Sequence, residues 1–197
     1  SIRLLTEGLL VRAQLGELKR SVNKFAGLFF IQTYRRCRNL KNGGGNLIMD
    51  IFENVKKNFG FGCMRLPMRD GEVDTEKFSR MVDFFLESGF NYFDTAHGYL
   101  DGKSETAIRE CLTKRYPRDR YVLTDKLTDS YFRKEEDIRP MLESQLEACG
   151  VEYFDFYLMH SQTAESFEYF KKCNAYETAL KLKEEGKFQR SLWDFLP

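Results

Sequence analysis

The sequence predicts an α/β fold with a parallel sheet, built from about four βα units, and three observations carry that prediction. From Phe59 onward, short runs rich in aromatic and β-branched residues alternate with stretches of helical periodicity. The two kinds of segment keep one order, strand then helix, four times over, and that order implies parallel strands joined by helical crossovers. Residues closing successive predicted strands are almost evenly spaced, with Asp94 to Lys126 separated by 32 residues and Lys126 to His160 by 34.

The first predicted strand is FGFGCMRLP (59–67), bounded by glycine and proline. Phe78, Met81, Val82 and Phe85 then form an i, i+3, i+4, i+7 stripe that ends at Gly89. The second strand is FNYFDTA (90–96), followed by a helix with Ala107, Ile108, Cys111 and Leu112 that stops before Pro117. The third strand, RYVLTDKL (120–127), leads to a helix with Ile138, Met141, Leu142, Leu146 and Cys149 that stops at Gly150. EYFDFYLMH (152–160) is the fourth strand, and a last helix near 176–185 ends at Gly186. An open doubly wound sheet and an eight-stranded βα barrel both accommodate this pattern. Strand alternation puts Lys126 on the face of Thr124 and Val122, and Asp94 on that of Tyr92. In a barrel, Lys126 and Asp94 would meet over the mouth, where such folds keep their active sites.

The 197 residues suffice for one domain of ordinary size. The net charge of +1 hides two unlike pieces: residues 1–48 hold nine Lys/Arg against two Glu, and residues 49–197 hold 22 Lys/Arg against 28 Asp/Glu. Within 1–48, Val11, Leu15, Leu18, Val22 and Phe25 space out an amphipathic helix with Arg12, Lys19, Arg20 and Lys24 around it, and TYRRCRNLKNGGGN reads as a linker. A targeting presequence, a membrane-surface helix and a plain exposed extension are the readings open to that segment, the plain extension being favoured. The domain proper is expected over 49–187, with 188–197 as a divergent tail. No apolar run approaches the eighteen residues or so of a membrane span. Five scattered cysteines without a CxxC pair fit a reducing, cytoplasmic setting, with no metal expected. Cys111 and Cys149 fall on apolar helix faces as small buried hydrophobes.

The stretch NYFDTAHGY (91–99) concentrates a carboxylate, an imidazole and a phenol behind a predicted strand. Asp94 and Tyr99 are five apart, so the strand must end between them for both to serve one site, and Gly98 is expected to supply freedom for the turn. Lys126 arrives from the next strand and His160 from the one after. A tyrosine of ordinary pKa about 10 holds its proton too tightly for exchange near neutrality. A close cation lowers that value, and moving it three units takes roughly 4 kcal/mol of differential stabilisation. Asp94 is the natural partner for a buried Lys126. His160 is placed to donate a hydrogen bond to a substrate oxygen, a role assigned neither to His97 nor to the weak GFG signal at 60–62.

Taken together, GFGCMRLP (60–67), NYFDTAHGY, GKSE (102–105), LTDKL (123–127), DFYLMH (155–160) and LKEEGK (182–187) closely resemble the aldo-keto reductase family. The resemblance implies an eight-stranded βα barrel, here a partial (βα)8 TIM barrel, that uses NADPH or NADH to reduce an aldehyde or ketone. By position it implies Tyr99 as general acid, Lys126 and Asp94 as the pair that tunes it, and His160 as the carbonyl-orienting residue. Gly62, Cys63 and Met64 would lie near the nicotinamide. After LKEEGK the family continues into a fifth strand with an Ile-Gly pair, whereas this chain reads FQRSLWDFLP. The expectation is therefore a truncated barrel with impaired activity, lacking most of the groove for the cofactor's pyrophosphate and adenosine. Its partner would be a small-molecule carbonyl and not nucleic acid or membrane, and its exposed barrel edges would favour self-association. A non-catalytic regulatory half-barrel and the non-functional product of a disrupted reading frame are the rival readings.

Overall fold

The structure, a computed structural model, describes residues 52–191. The basic segment 1–48 and the end of the tail from 192 lie outside the described residues, and so do the expectations placed on them. Strand β1 (Gly60–Gly62) is followed by a two-stranded hairpin of β2 (Met68–Arg69) and β3 (Glu72–Val73). The long first strand read at 59–67 is thus three residues long. Pro67 has no N–H to offer a ladder, and its carbonyl accepts from Asp74 N at 2.8 Å as the chain turns away. Asp70 and Gly71, at φ 53° and 81°, supply the two left-handed positions a tight hairpin needs.

Helix α1 (Thr75–Glu87) begins at Asp74, whose Oδ1 accepts from Lys77 N at 3.0 Å. That bond, together with Arg69 beside it, holds the Asp74 carboxyl below the usual range. The helix buries Phe78, Met81, Val82 and Phe85, the residues of the predicted stripe, and gives way at Gly89, where φ is 81°. Phe61, Phe85 and Phe93 stack and edge against one another at 5.2 to 5.7 Å between centroids. Each fully buried ring of this kind contributes about 1.5–3 kcal/mol through removal of apolar surface from water.

Strand β4 (Tyr92–Asp94) leads through a turn to helix α2 (Lys103–Ile108), which continues as a wider π turn over Arg109–Thr113. Strand β5 (Val122–Leu127), helix α3 (Ile138–Cys149) and strand β6 (Phe154–Met159) follow. Two helices come next, α4 (Ala164–Lys172) and α5 (Ala175–Glu184). Only the second is expected from the periodicity, because α4 buries just Ser166 and Phe170 and leaves Phe167 exposed. It starts on a capping pair: Ser166 N donates to Thr163 Oγ1 and Thr163 N to Ser166 Oγ.

The residues read as a divergent tail open with a fifth strand, β7 (Phe188–Ser191). It pairs in parallel with β6, Phe154 opposite Phe188 and Phe156 opposite Arg190, and Phe188 is buried in the core. The sheet order is β1-β4-β5-β6-β7, every neighbouring pair parallel, with helices over one face. This is part of a (βα)8 barrel. On the face away from the helices, Tyr92, Val122 and Phe156 form a small separate apolar cluster with Phe52, Val55 and Leu158. Asp94 and Lys126 occupy the same face toward the carboxyl ends of their strands, as alternation requires. No helix among the described residues is long and apolar enough to cross a membrane. The described cysteines, Cys63, Cys111, Cys149 and Cys173, are all free and buried.

Candidate active site

Three strand ends and one turn bring the four expected side chains together. β4 ends at Asp94, β5 carries Lys126 one residue before its end, His160 follows β6 directly, and Tyr99 stands in the turn after β4. Lys126 Nζ donates to Asp94 Oδ1 and to the Thr95 carbonyl, both at 2.6 Å, and to the Tyr99 hydroxyl at 3.3 Å. The same ammonium lies 4.9 Å from the centre of the Tyr99 ring. His160 stands edge-on to Tyr99, with centroids 6.0 Å apart and planes at 77°. Its Nδ1 is 2.8 Å from Thr128 Oγ1, and its backbone N donates to the Leu127 carbonyl at 2.8 Å.

The electrostatics differ from the sequence expectation at one point. Burial alone would depress the Lys126 ammonium, yet Asp94, Tyr99 and Asp125 together carry it above the ordinary lysine range. Burial raises Asp94 against the pull of Lys126, and the 2.6 Å contact joins the two as a buried ion pair. Tyr99 is the correction: its phenol is raised above the usual tyrosine range, not lowered. Burial is the largest cause and Asp94 adds to it, which together outweigh the nearby ammonium. The lysine's charge is engaged more closely by the carboxylate than by the phenol, so its help to a phenolate is already shared. His160 is lowered by burial and by Lys126, with Asp129 opposing. A neutral His160 that accepts a hydrogen bond from the Thr128 hydroxyl at Nδ1 carries its own proton on Nε2.

The turn that presents Tyr99 is held locally. Tyr99 N donates to the Ala96 carbonyl at 2.9 Å, and Leu100, Asp101 and Gly102 then follow at φ 54°, 56° and 83°. The left-handed burden therefore falls on these three, and Gly98 is not among the positive-φ positions. What Gly98 leaves is space: a Cβ there would stand 2.6 Å from the Tyr131 hydroxyl and would have to displace the end of that half-exposed side chain.

Of the residues expected near a nicotinamide, Gly62 is buried in β1 opposite Asp94, and Cys63 is buried with its N–H donating to the Asp94 carbonyl at 2.8 Å. The Cys63 thiol packs into the main core, where burial pushes it well above its ordinary range. Met64, 48% exposed, presents its side chain to solvent. Sequence reasoning passed over Thr128, which fixes the His160 ring, and the carbonyl of Thr95, which shares the lysine. It also gave no task to Glu105, the acid of the GKSE motif. Glu105 is buried and lies 3.2 Å from His97 Nδ1.

A parallel βα barrel segment with a lysine, a carboxylate, a phenol and an imidazole converging at its strand carboxyl ends has the form of a barrel enzyme's active-site end. The sequence pattern of the Aldo/keto reductase family matches residues 58–190, more than half of the chain, and the chain belongs to that family. Among curated relatives, the NADH-specific methylglyoxal reductase of Escherichia coli is 28% identical over 143 residues, covering 62% of this chain and 42% of that enzyme. Human aldo-keto reductase family 1 member C3 is 34% identical over 104 residues, covering 52% and 31%. The aldo-keto reductase of Klebsiella pneumoniae, solved in complex with NADPH, superposes with a TM-score of 0.54 at 25% identity, covering 67% of this chain and 43% of that one. The match thus takes in less than half the length of each of these relatives.

Proposed function

We propose that this chain carries the catalytic groups of an NAD(P)H-dependent reductase of aldehydes or ketones, able in principle to run the reverse alcohol oxidation. The observation behind this reading is one ammonium, Lys126, held at 2.6 Å by Asp94 and at 3.3 Å from the Tyr99 phenol, with His160 alongside. The donor set fits a nicotinamide-linked carbonyl. Beside it, Gly62 ends β1 without a side chain, and Met64 is free to lie against a ring. Gly62, Cys63 and Met64 would lie beside that ring, the Cys63 N–H being given to the Asp94 carbonyl and its own carbonyl accepting from Ser104 Oγ at 3.0 Å.

When bound, NADPH or NADH supplies the hydride that adds to the carbonyl carbon. His160 donates from Nε2 to the carbonyl oxygen and aims it at Tyr99. As negative charge grows on that oxygen, Tyr99 delivers its hydroxyl proton, and Lys126 stabilises the phenolate left behind. Asp94 keeps Lys126 in place and charged. The raised phenol is fully protonated before the hydride moves, and its weakened acidity is a cost of burial that the Lys126 ammonium at 3.3 Å offsets in part. The described residues supply five parallel strands of the barrel and match less than half the length of the relatives, so cofactor affinity and turnover of this stretch are what an experiment must separate. This lets a non-catalytic, cofactor-binding half-barrel stand as the second reading.

The test is calorimetric titration with NADPH and NADH, combined with carbonyl-dependent loss of nicotinamide absorbance using methylglyoxal and a panel of larger aldehydes. Binding with turnover supports the reductase. Binding without turnover supports the non-catalytic half-barrel, and a folded chain that shows neither contradicts both readings.

A further inference from the structure

Tyr99 has few direct restraints for a group asked to deliver a proton to a defined point. Its hydroxyl meets Lys126 at 3.3 Å, and its ring meets His160 only edge-on. Its position is therefore set through its loop, which runs through two non-glycine left-handed residues, Leu100 and Asp101, a conformation that persists only where the surroundings impose it. His97, at the start of that loop, is gripped from two sides. Its Nδ1 lies 3.2 and 3.3 Å from the two carboxylate oxygens of Glu105, eight positions later, with Tyr99 between them in the chain. Glu105 is itself 1% exposed and anchored in α2. From the other side the ring of Tyr131, in the turn after β5, meets the His97 ring edge-on at 4.7 Å and 88°, with its hydroxyl against Gly98.

We propose that His97 is a positioning residue for Tyr99: clasped between the Glu105 carboxylate and the Tyr131 ring, it closes the loop that carries the phenol. This rests on the reading of Tyr99 as proton donor. Glu105 from α2 and Tyr131 from the turn after β5 are the titratable groups that face His97. The hydrogen bond to Glu105 raises His97 above its ordinary value. The extra hold of a charged imidazole is thus complete below about pH 6.5 and fades as pH rises through the folded value, leaving a neutral Nδ1–H bond to the same carboxylate.

The clasp is tested by amide hydrogen exchange on the full chain, because the Tyr99 and Ser104 amides donate within this loop, to the carbonyls of Ala96 and Tyr99. In His97→Ala these two amides are expected to exchange about tenfold faster or more, while the β5 amides keep their rates. His97→Asn, which retains a donor near Nδ1, is expected to recover most of the protection. Any measurable turnover should lose kcat with KM for carbonyl and nicotinamide unchanged. Tyr131→Leu removes the other jaw without touching Glu105, and it decides the question by the same pattern if His97→Ala does not fold. Unchanged exchange at Tyr99 and Ser104 in both variants overturns the proposal, as does an acceleration spread equally over β5. A wild-type chain without turnover counts against the reductase reading, while the exchange rates still decide the clasp.

Discussion

Lys126 and its chain neighbour Asp125 point to opposite faces of β5, and the two faces treat buried charge differently. On the barrel face, Lys126 is matched by the opposite charge of Asp94 and shared with a titratable phenol. On the helix face, Asp125 meets neutral partners: its Oδ1 accepts from Gln145 Nε2 at 2.9 Å and from the Lys126 backbone N at 2.7 Å. Gln145 is held in turn by the Tyr157 hydroxyl, which donates to Oε1 at 2.6 Å. Burial drives Asp125 well above the carboxylate range, and Glu105 adds to the effect. One face thus keeps a charged pair at the strand ends, where the proposed chemistry would use it, and the other suppresses a charge in order to pack. Burial and a shifted pKa alone do not mark a functional group; what separates the two is access to the strand ends and a partner that can exchange a proton.

The largest effect that could break this comparison is Lys126→Met. It should abolish turnover and lower stability by about 3–5 kcal/mol, because Asp94 is left buried without its counter-charge. Denaturant titrations across pH check the sign. With its folded pKa raised further above the unfolded value near 3.9, the lone carboxyl binds its proton more tightly in the native state. The deficit should therefore grow as pH rises from about 4. A loss independent of pH would mean that Asp94 and Lys126 are not coupled as described.

Thr128→Val sharpens the account of His160 and should act more mildly. Without the hydroxyl at Nδ1 the tautomer is no longer fixed, and kcat/KM is expected to fall about tenfold. The hydroxyl favours the neutral ring, so its removal should also move the acid limb of the pH profile upward, toward the ordinary histidine value near 6.5. An unchanged profile would remove Thr128 from its role.

The smallest effect belongs to the helix face. Asp125→Asn keeps an acceptor for Gln145 and for the Lys126 amide and removes a carboxyl that burial penalises. Stability should change by no more than about 1 kcal/mol in either direction, with activity within a few-fold of wild type. A loss of activity as large as that of Lys126→Met would show that the two faces are not distinct.

Much of this organisation was legible in the sequence, for reasons that differ by element. β4, β5 and β6 announce themselves because aromatic, β-branched and aliphatic residues crowd into short runs bounded by glycine or charge, even with Asp94, Asp125, Lys126 and Asp155 inside them. The stripe of α1 and the stop of α3 at Gly150 follow directly from helical periodicity and left-handed termination. β7 did not show, because FQRS offers a single apolar residue and its pairing is made by backbone beside β6. α4 escaped because its buried stripe is almost reduced to Phe170, and the β2–β3 hairpin because two-residue strands carry no periodicity. The convergence of Asp94, Tyr99, Lys126 and His160 was readable from strand alternation and even spacing. The direction of the Tyr99 shift was not, since it depends on whether burial or a cation at 3.3 Å prevails, and only the distances decide that.

The most direct test of the central claim is Tyr99→Phe, measured for nicotinamide affinity and for carbonyl-dependent turnover in the same preparation. The account predicts cofactor affinity within about twofold of wild type and a fall in kcat of about 10²–10⁴, the contribution expected of a positioned general acid. Turnover equal to that of the wild type would take the proton-donor role away from Tyr99, and with it the meaning assigned to the Lys126–Asp94 pair beneath.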